Sequence, residues 1–398
     1  MPNSMTDMSG SNKVELVSFS NETKEDQSLL RQFVRFHWTH YRGDPQYIPL
    51  LDYEYLGFKL MGIKGFFEPD NLFFKHARAR FFLAKSNGEI RGRCMAFVND
   101  HHNQKWNDKV GFIGQFESVD DSQVARSLLD ASAAWLKDQG MDTMRGPQNL
   151  PVNDATPGLL TEGFDSRPVM YYHYNKPYYP ALLEGAGFKS IKKVLSWEVP
   201  PANPWEEKLV RVSQKVVKRY NVVIETWDQR PPKVRRREMF EIYNDAWEDN
   251  WGFVPFTWEE FDHLVEEMQL IMDKGLFIFL YINGEAAAFF GGVPNVTERM
   301  TPFSFSPRFE LLRAAKMLLT KHRVTGFRLG YLGVKKKYQR LGLDGVMLWQ
   351  QKEYSRKKGY AYCDMGWVLE DNTMTVRLTD LMGATLSKTY TIYERAVG

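Results

Sequence analysis

The stretch Val334-Lys-Lys-Lys-Tyr-Gln-Arg-Leu-Gly-Leu-Asp-Gly345 constrains this 398-residue chain more than any other segment. It stands between a β-like run at residues 327–334 and an amphipathic run at residues 346–358, so strand, turn and helix start are expected in succession. A turn carrying glycine and basic residues at a helix N-terminus leaves backbone N–H groups unpaired at the positive end of the helix dipole, which suits a pyrophosphate. GxxxxGK[ST] is absent, and no GxGxxG follows a strand, which disfavours P-loop and dinucleotide-binding folds. The expectation is a phosphorylated cofactor held in the C-terminal half, largely by main-chain groups of Gln339, Arg340, Leu341 and Gly342. Lys335, Lys336 and Lys337, and Arg356, Lys357 and Lys358, are either auxiliary phosphate-binding cations or solvated surface.

Two local patterns recur at one shift. Asn87-Gly88-Glu89 separates β-like residues 81–85 and 90–98, and Asn283-Gly284-Glu285 separates residues 276–282 and 286–293; both read as hairpin turns. The shift of 196 residues returns between Leu182-Leu-Glu-Gly-Ala-Gly187-Phe188 and Leu378-Thr-Asp-Leu-Met-Gly383-Ala384. One α/β unit present twice is therefore expected, over residues 13–199 and 205–398, after a disordered stretch at residues 1–12. Pro200-Pro-Ala-Asn-Pro204 marks the joint, because closely spaced prolines stop both helix and sheet. The copies differ at the turn. The first has Asp120-Asp121-Ser122-Gln123 ahead of a helical run at 124–139, and two carboxylates there would repel a phosphate. That copy is expected to have lost cofactor binding and to be structural or substrate-facing.

Composition fits two such units. Hydrophobic residues make up 43% of the chain and aromatic residues 14%, enough for two cores. No apolar run is long enough to span a bilayer, and residues 1–13 lack a signal-peptide core. The net charge of +3 comes from scattered residues and gives no argument for nucleic acid. Cys94 and Cys363 lie in separate strand-like runs and read as buried thiols in a reducing cytoplasm. His37 and His40 have a spacing that one helix face would allow for a metal, but neither HExxH nor a third ligand accompanies them, so packing is favoured and no metal is expected.

The turn Gln339-x-x-Gly342, with Val334 five residues upstream, resembles the [RQ]xxGx[GA] pyrophosphate loop of the GNAT superfamily of CoA-dependent N-acyltransferases. Asp344 departs from it where the superfamily has Gly or Ala, and Gly345 follows. After a strand-like run at 360–366 comes Glu370-Asp371-Asn372-x-x-Thr375-x-x-x-Thr379-x-x-x-Gly383-Ala384. This resembles the signature in which Asn opens a short helix ending in Tyr-x-x-x-Gly-Phe. Thr379 replaces the Tyr that often reprotonates the CoA thiolate, and Ala384 replaces the Phe. The resemblance implies an α/β fold with a mixed sheet, two tandem GNAT-like domains, and acyl-CoA, acetyl or longer, as co-substrate. It also implies two splayed central strands, with main-chain N–H groups along Leu332, Gly333 and Val334 holding the pantetheine arm and polarising the thioester. Leu343, Asp344, Gly345 and Asn372 complete the expected cofactor contacts. An amine attacks directly, so the chemistry needs a proton acceptor. Glu370 and Asp364 are candidates, with Glu117 on the corresponding strand of the first copy. Asp371 is a further candidate beside Glu370, but helix capping is the favoured reading of both, whereas Asp364 among apolar neighbours must be paired or shifted in pKa.

Over residues 33–395 the chain also resembles a bacterial family of two-domain GNAT-like proteins. The resemblance rests on His37-Trp38, Gly158-Leu-Leu, Gly163-Phe164-Asp165, Pro177-Tyr-Tyr179, Trp247, Trp251-Gly-Phe-Val-Pro255, Gly342-Leu-Asp344 and Trp367-x-Leu-Glu-Asp-Asn372. In that family Asp after the loop glycine is normal. Some members are associated with bacterial ceramide synthesis, which implies a fatty acyl donor and a sphingoid-type amine. Apolar residues 53–74 read as a core helix, or else as a tunnel wall or membrane-resting helix. The Gly-, Pro- and Tyr-rich stretch 153–179 reads as a binding loop. The expected partner is a small-molecule or lipid amine, in the cytoplasm, with peripheral contact at the inner membrane as an option and oligomeric state left open. Two other readings stay open. A peptidoglycan-bridge-type transferase using aminoacyl-tRNA would need a wide basic groove, and a non-catalytic acyl-CoA-binding regulator would suit the missing Tyr.

Overall fold

The structure, a computed structural model, describes residues 13–398 except 60–61, 154, 201–206 and 302–304. The expected disorder of residues 1–12, and residues 201–204 of the proline-rich joint, lie outside the described residues.

The first half of the chain runs β1 (Glu15–Phe19), α1 (Lys24–His40), α2 (Asp52–Leu56), β2 (Ala77–Ser86), β3 (Glu89–Asn99), α3 (Asp100–Trp106), β4 (Val110–Ser118), α4 (Ser122–Asp138), β5 (Thr143–Gly146), β6 (Leu159–Glu162), α5 (Tyr179–Gly185) and β7 (Lys189–Val199). The second runs α6 (Glu207–Tyr220), β8 (Val223–Thr226), α7 (Pro232–Trp247), α8 (Trp258–Met268), β9 (Phe277–Ile282), β10 (Glu285–Pro294), α9 (Glu310–Thr320), β11 (Gly326–Val334), α10 (Leu343–Lys358), β12 (Tyr362–Leu369), α11 (Thr373–Leu381) and β13 (Thr385–Ala396). Both hairpins form where the spacing places them. Asn87 and Gly88 have φ of 54° and 79°, and Asn283 and Gly284 have 53° and 81°, the paired left-handed residues that a type I′ turn needs.

The strands make one mixed sheet in the order β1-β2-β3-β4-β5-β13-β7-β12-β11-β10-β9-β8, with β6 added against β13. The final strand of each half crosses to the other. β7 pairs antiparallel with β12, Cys363 opposite Val199, and β13 pairs antiparallel with β5, Tyr393 opposite Gly146. Halves of the chain and halves of the sheet therefore do not coincide. Leu160, Tyr172, Val194, Tyr390 and Ile392 form a buried cluster at this seam, so the junction is a hydrophobic core in its own right. Cys94 and Cys363 are buried free thiols on β3 and β12.

The 196-residue shift holds at the hairpins and at the ends of α5 and α11, but not between them. Residues 100–109 join β3 to β4, whereas residues 295–325 join β10 to β11 and carry α9. The opposite imbalance follows: residues 147–178 lie between β5 and α5, and only residues 370–372 between β12 and α11. The two insertions offset each other, which is why the sequence showed one shift at both ends.

Residues 53–74 correct the expectation of a helix. α2 stops at Gly57 (φ 73°), a bridge joins Phe58 to Ile63, and a 3₁₀ turn spans Leu72–Lys75. Gly62 is also left-handed, at φ 69°, so glycine interrupts what apolar spacing alone would make helical. The segment still feeds the core, with Tyr55 and Phe67 buried beside Phe33 and Phe81. No helix among the described residues is long and apolar enough to cross a membrane.

Exchange of β7 and β13 predicts that the halves fold together or not at all. Residues 1–200 and 201–398 produced separately should be aggregated or unfolded by circular dichroism and gel filtration, and should recover native structure on co-expression. Independent folding of either fragment would contradict the exchange.

Candidate functional site

The site is created by the parting of two strands. β11 and β12 pair in parallel only from Gly326 opposite Tyr362 to Leu329 opposite Met365, after which β11 continues to Val334 and β12 to Leu369 without pairing. On its other edge β11 carries a bulge: Gly291 of β10 faces Tyr331 while Gly292 faces Leu329, which leaves Gly330 unpaired. Beyond the bulge, Lys335 N–H donates to Ala287 O. By the alternation of an antiparallel ladder, Gly333 and Tyr331 then direct their backbone polar groups to β10, and Leu332 and Val334 direct theirs to the side that β12 has left. Between the strands lies a cavity of ≈ 860 Å³.

Eight of the expected cofactor residues border this cavity: Leu332, Val334, Gln339, Arg340, Gly342, Leu343, Asp344 and Asn372. Gly333, Leu341 and Gly345 do not. Gly333 lies under Trp247, where a Cβ would come within 2.6 Å of the indole. Leu341 packs against the core of the second half, and a Cβ on Gly345 would touch Leu209 and Ser213 of α6 at 3.4 Å. The second glycine of the turn thus serves helix packing.

The turn itself doubles back, because Arg340 (φ 65°) and Gly342 (φ 80°) are both left-handed. Such alternation aims successive amides to one side. Gly342 is the N-cap of α10 and has no side chain with which to cap it, so the first amides of the helix keep their capacity for an anion. The first half shows the contrast. Asp121 caps α4, accepting from Gln123 N–H at 2.8 Å and Val124 N–H at 3.4 Å. Its strand bulge at Gln115 (φ 51°) is closed as well, since Gln115 N–H donates to Asn149 Oδ1 at 2.5 Å and Gln148 N–H donates to Ile113 O at 2.6 Å. The equivalent amides there are already used by the chain itself.

The cationic clusters do not both serve the turn. Lys335 pairs with Glu285 at 3.2 Å, Lys336 with Glu248 and Asp249 at 2.7 Å each, and Lys337 with Glu285 at 2.6 Å. Arg356, Lys357 and Lys358 lie at the far end of α10, roughly 20 Å from Gly342 at 1.5 Å rise per residue. Arg340 is exposed and makes no hydrogen bond or ion pair among the described residues, so it is the cation free to meet a phosphate.

The three carboxylates singled out by sequence are all outside the cavity wall. Asp364 is buried and accepts from Tyr172 Oη at 2.8 Å and Ser196 Oγ at 2.7 Å; burial pushes its pKa up to about 6 against the pull of those hydroxyls and Arg328. Glu117 accepts from Tyr41 Oη at 2.6 Å and Tyr179 Oη at 2.5 Å, with Arg93 at 3.6 Å. Burial raises its pKa, opposed chiefly by Arg93. Glu370 is exposed and accepts from Lys193 N–H at 2.8 Å, extending the β12–β7 ladder. Its neighbour Asp371 reaches the wall but pairs with Lys192 at 2.8 Å. Asn372 caps α11 by accepting from Thr375 N–H at 3.2 Å. Thr379, where the superfamily has Tyr, is buried and donates to Val376 O at 2.7 Å, inside its own helix. His37 contacts Asp52 at 3.2 Å, an acid that also accepts from Trp38 Nε1 at 2.9 Å and Arg35 Nε at 2.9 Å, so it belongs to a packing network.

Several wall residues carry no sequence signal because the first half delivers them. Arg145, Gly146, Pro147, Gln148 and Val152 follow from β5, and His102 comes from α3. They face Trp247, Trp251 and Phe253, which the family motif had flagged without assigning a place. Arg145 lies 5.1 Å from the Trp251 ring centre, a cation–π contact that ties the two sets together. His102 is buried, with Nε2 3.5 Å from Asp108, and burial lowers its pKa to about 4.

Glu117→Ala should leave Arg93 buried without its acid and two phenols without an acceptor. A loss of about 3–5 kcal/mol is expected in denaturant unfolding, with ligand affinity per folded molecule unchanged.

No protein-family profile matches the sequence. The chain is 30% identical over 380 residues to protein YghO of Escherichia coli, covering 92% of this chain and 93% of that protein. It is 31% identical over 345 residues to bacterial ceramide synthase of Caulobacter vibrioides, covering 82% and 86%. Among solved structures it is similar to a tandem GNAT protein from the clavulanic acid biosynthesis pathway, with a TM-score of 0.54 at 11% identity over 97% of this chain and 99% of that one. A GCN5-related N-acetyltransferase from Sphaerobacter thermophilus gives 0.52 at 12% identity, over 96% of both chains. With its parted strands, open helix start and full-length relatives, the chain belongs to the two-domain GNAT-like N-acyltransferase family of bacteria.

Proposed function

We propose that the protein transfers an acyl group from an acyl-CoA thioester to the primary amine of a long-chain, sphingoid-type base. The observation that carries this reading is the uncapped start of α10, with Arg340 beside it, opening directly into the cavity between β11 and β12. The pyrophosphate would rest on the amides that follow Gly342, and the pantetheine arm would run along Leu332 and Val334, whose main-chain N–H groups also polarise the thioester carbonyl. A lipid acceptor is supported by the relative named bacterial ceramide synthase and by a second, smaller cavity of ≈ 110 Å³. That cavity shares Val152 and Asn153 with the first and is walled by Phe66, Leu72, Phe73, Leu150, Phe256 and Leu264, an apolar extension suited to a hydrocarbon chain.

His102 is the proton acceptor in this scheme. His102 is among the residues that line the cavity, and its imidazole is neutral at physiological pH because burial disfavours the cation. Asp108 supports the protonated form once a proton arrives from the substrate ammonium. That first proton passes to solvent, which frees the amine to attack; His102 then takes the second proton from the nitrogen as the amide forms and gives it to the departing thiolate, the step that Thr379 cannot perform from inside α11. A polyanion such as tRNA finds little support, since the three lysines beside the turn are each matched by an acid.

Incubation with acetyl-, medium- and long-chain acyl-CoA, with and without sphinganine, should release thiol only with the longer donors and only when sphinganine is present. Release to small polar amines irrespective of donor length would move the assignment to an ordinary acetyltransferase, and binding without release to a regulator. Gly342→Glu should abolish CoA binding in calorimetry while the melting transition is retained; undiminished affinity would refute the loop assignment. His102→Ala should lower kcat by about 10²-fold with CoA affinity unchanged, and an unaltered kcat would remove the histidine from the mechanism.

A further inference from the structure

α9 is inside out. Its buried residues are Glu310 and Arg313, while Leu311 (53% exposed), Leu312 (57%), Leu318 and Leu319 (75%) face solvent. These leucines fall at i, i+1, i+7 and i+8 and so form one stripe. Phe309 prolongs it at one end and Leu270 (64% exposed) at the other, where Lys321 Nζ donates to the Leu270 carbonyl. Elsewhere among the described residues, exposed large apolar side chains are dispersed over other elements.

The inner face explains the inversion. Glu310 Oε1 accepts from Asp52 N–H at 2.5 Å, and Arg313 donates to Met300 O at 3.1 Å and to Pro49 O. α9 is therefore held to the first half by polar bonds, and its leucines contribute nothing to the core that fixes it. Contiguous apolar surface of this kind marks an interaction site. The helix also belongs to the insertion at 295–325, which has no counterpart in the first half and adds no strand to the sheet.

Charge selects the occupant. Residues 311–328 contain no Asp or Glu. Arg308 is exposed at the start of the stripe, and Lys321, His322 and Arg323 stand at its end. The nearest acids along the chain from Leu270 are Glu266 and Glu267, on α8, and Asp273, whose carboxylate accepts from Tyr354 Oη at 2.6 Å and Tyr360 Oη at 2.8 Å. Leucines flanked by cations at both ends match a bilayer surface with anionic headgroups. A second copy of the chain would fit less well, because a two-fold pairing of antiparallel stripes brings Arg308 of one against Lys321 and Arg323 of the other.

We propose that α9, with Leu270, seats the protein on an anionic lipid surface. The inference stands apart from the identity of the amine, since it concerns a face outside the cavity. Vesicle flotation tests it with the full chain, using phosphatidylcholine alone and phosphatidylcholine with about 30 mol% phosphatidylglycerol. The wild type should float with the anionic vesicles and far less with the neutral ones. Leu312→Glu/Leu319→Glu should reduce the bound fraction about tenfold or more, and Arg308→Glu/Arg323→Glu should do so at low salt. Both variants should keep the wild-type melting transition and the wild-type rate of thiol release with a long-chain donor and sphinganine dispersed in detergent, where no vesicle surface is needed. Failure of the wild type to float, or equal flotation of the leucine variant, would overturn the proposal. So would a dimer in sedimentation velocity that the leucine variant converts to monomer.

Discussion

The structure depends on how soon β11 and β12 lose each other. Four residues of parallel pairing hold them together, and past Leu329 and Met365 the strands part. An unpaired parallel edge inside a sheet would ordinarily strand its N–H groups, at a cost of about 1–3 kcal/mol for each one buried without a partner. Here the gap is a cavity, and those groups are left open to it. The bulge at Gly330 and the left-handed residues Arg340 and Gly342 work at either end of the same stretch, one setting which amides face the gap and the other turning the chain into the start of α10.

The first half carries the same strands and the opposite solution. Its bulge amide at Gln115 is satisfied by Asn149, and the start of α4 is capped by Asp121. The loop from Gly146 to Val152 that closes the first gap also forms part of the wall of the second. Closing one site and shaping the other are the same event, because β5 is stitched to β13.

Much of this was legible in the chain. The Asn-Gly hairpins, the strand–turn–helix at 326–358 and the acidic substitution at Asp121 are local, and their chemistry is decided by a handful of adjacent residues. What could not be read was whatever needs two distant segments at once. His102 and Arg145 reach the cavity through the crossed strands, and no spacing within either half announces them. The carboxylates at 117 and 364 drew notice because a buried acid demands an explanation; that explanation is two hydroxyl donors each, supplied from elsewhere in the fold. Residues 53–74 failed for a local reason, since apolar periodicity says nothing about Gly57 and Gly62.

The crossing of β7 and β13 has a consequence for how such a protein can change over evolutionary time. A duplicated gene ordinarily leaves two modules that recombination can shuffle, lose or graft onto other chains. Here each copy donates the strand that seals its sibling's sheet, so neither can be traded away without unsealing the one that stays. Divergence is confined to what the exchange leaves free: the turn that one copy acidified, and the separate insertion that each acquired.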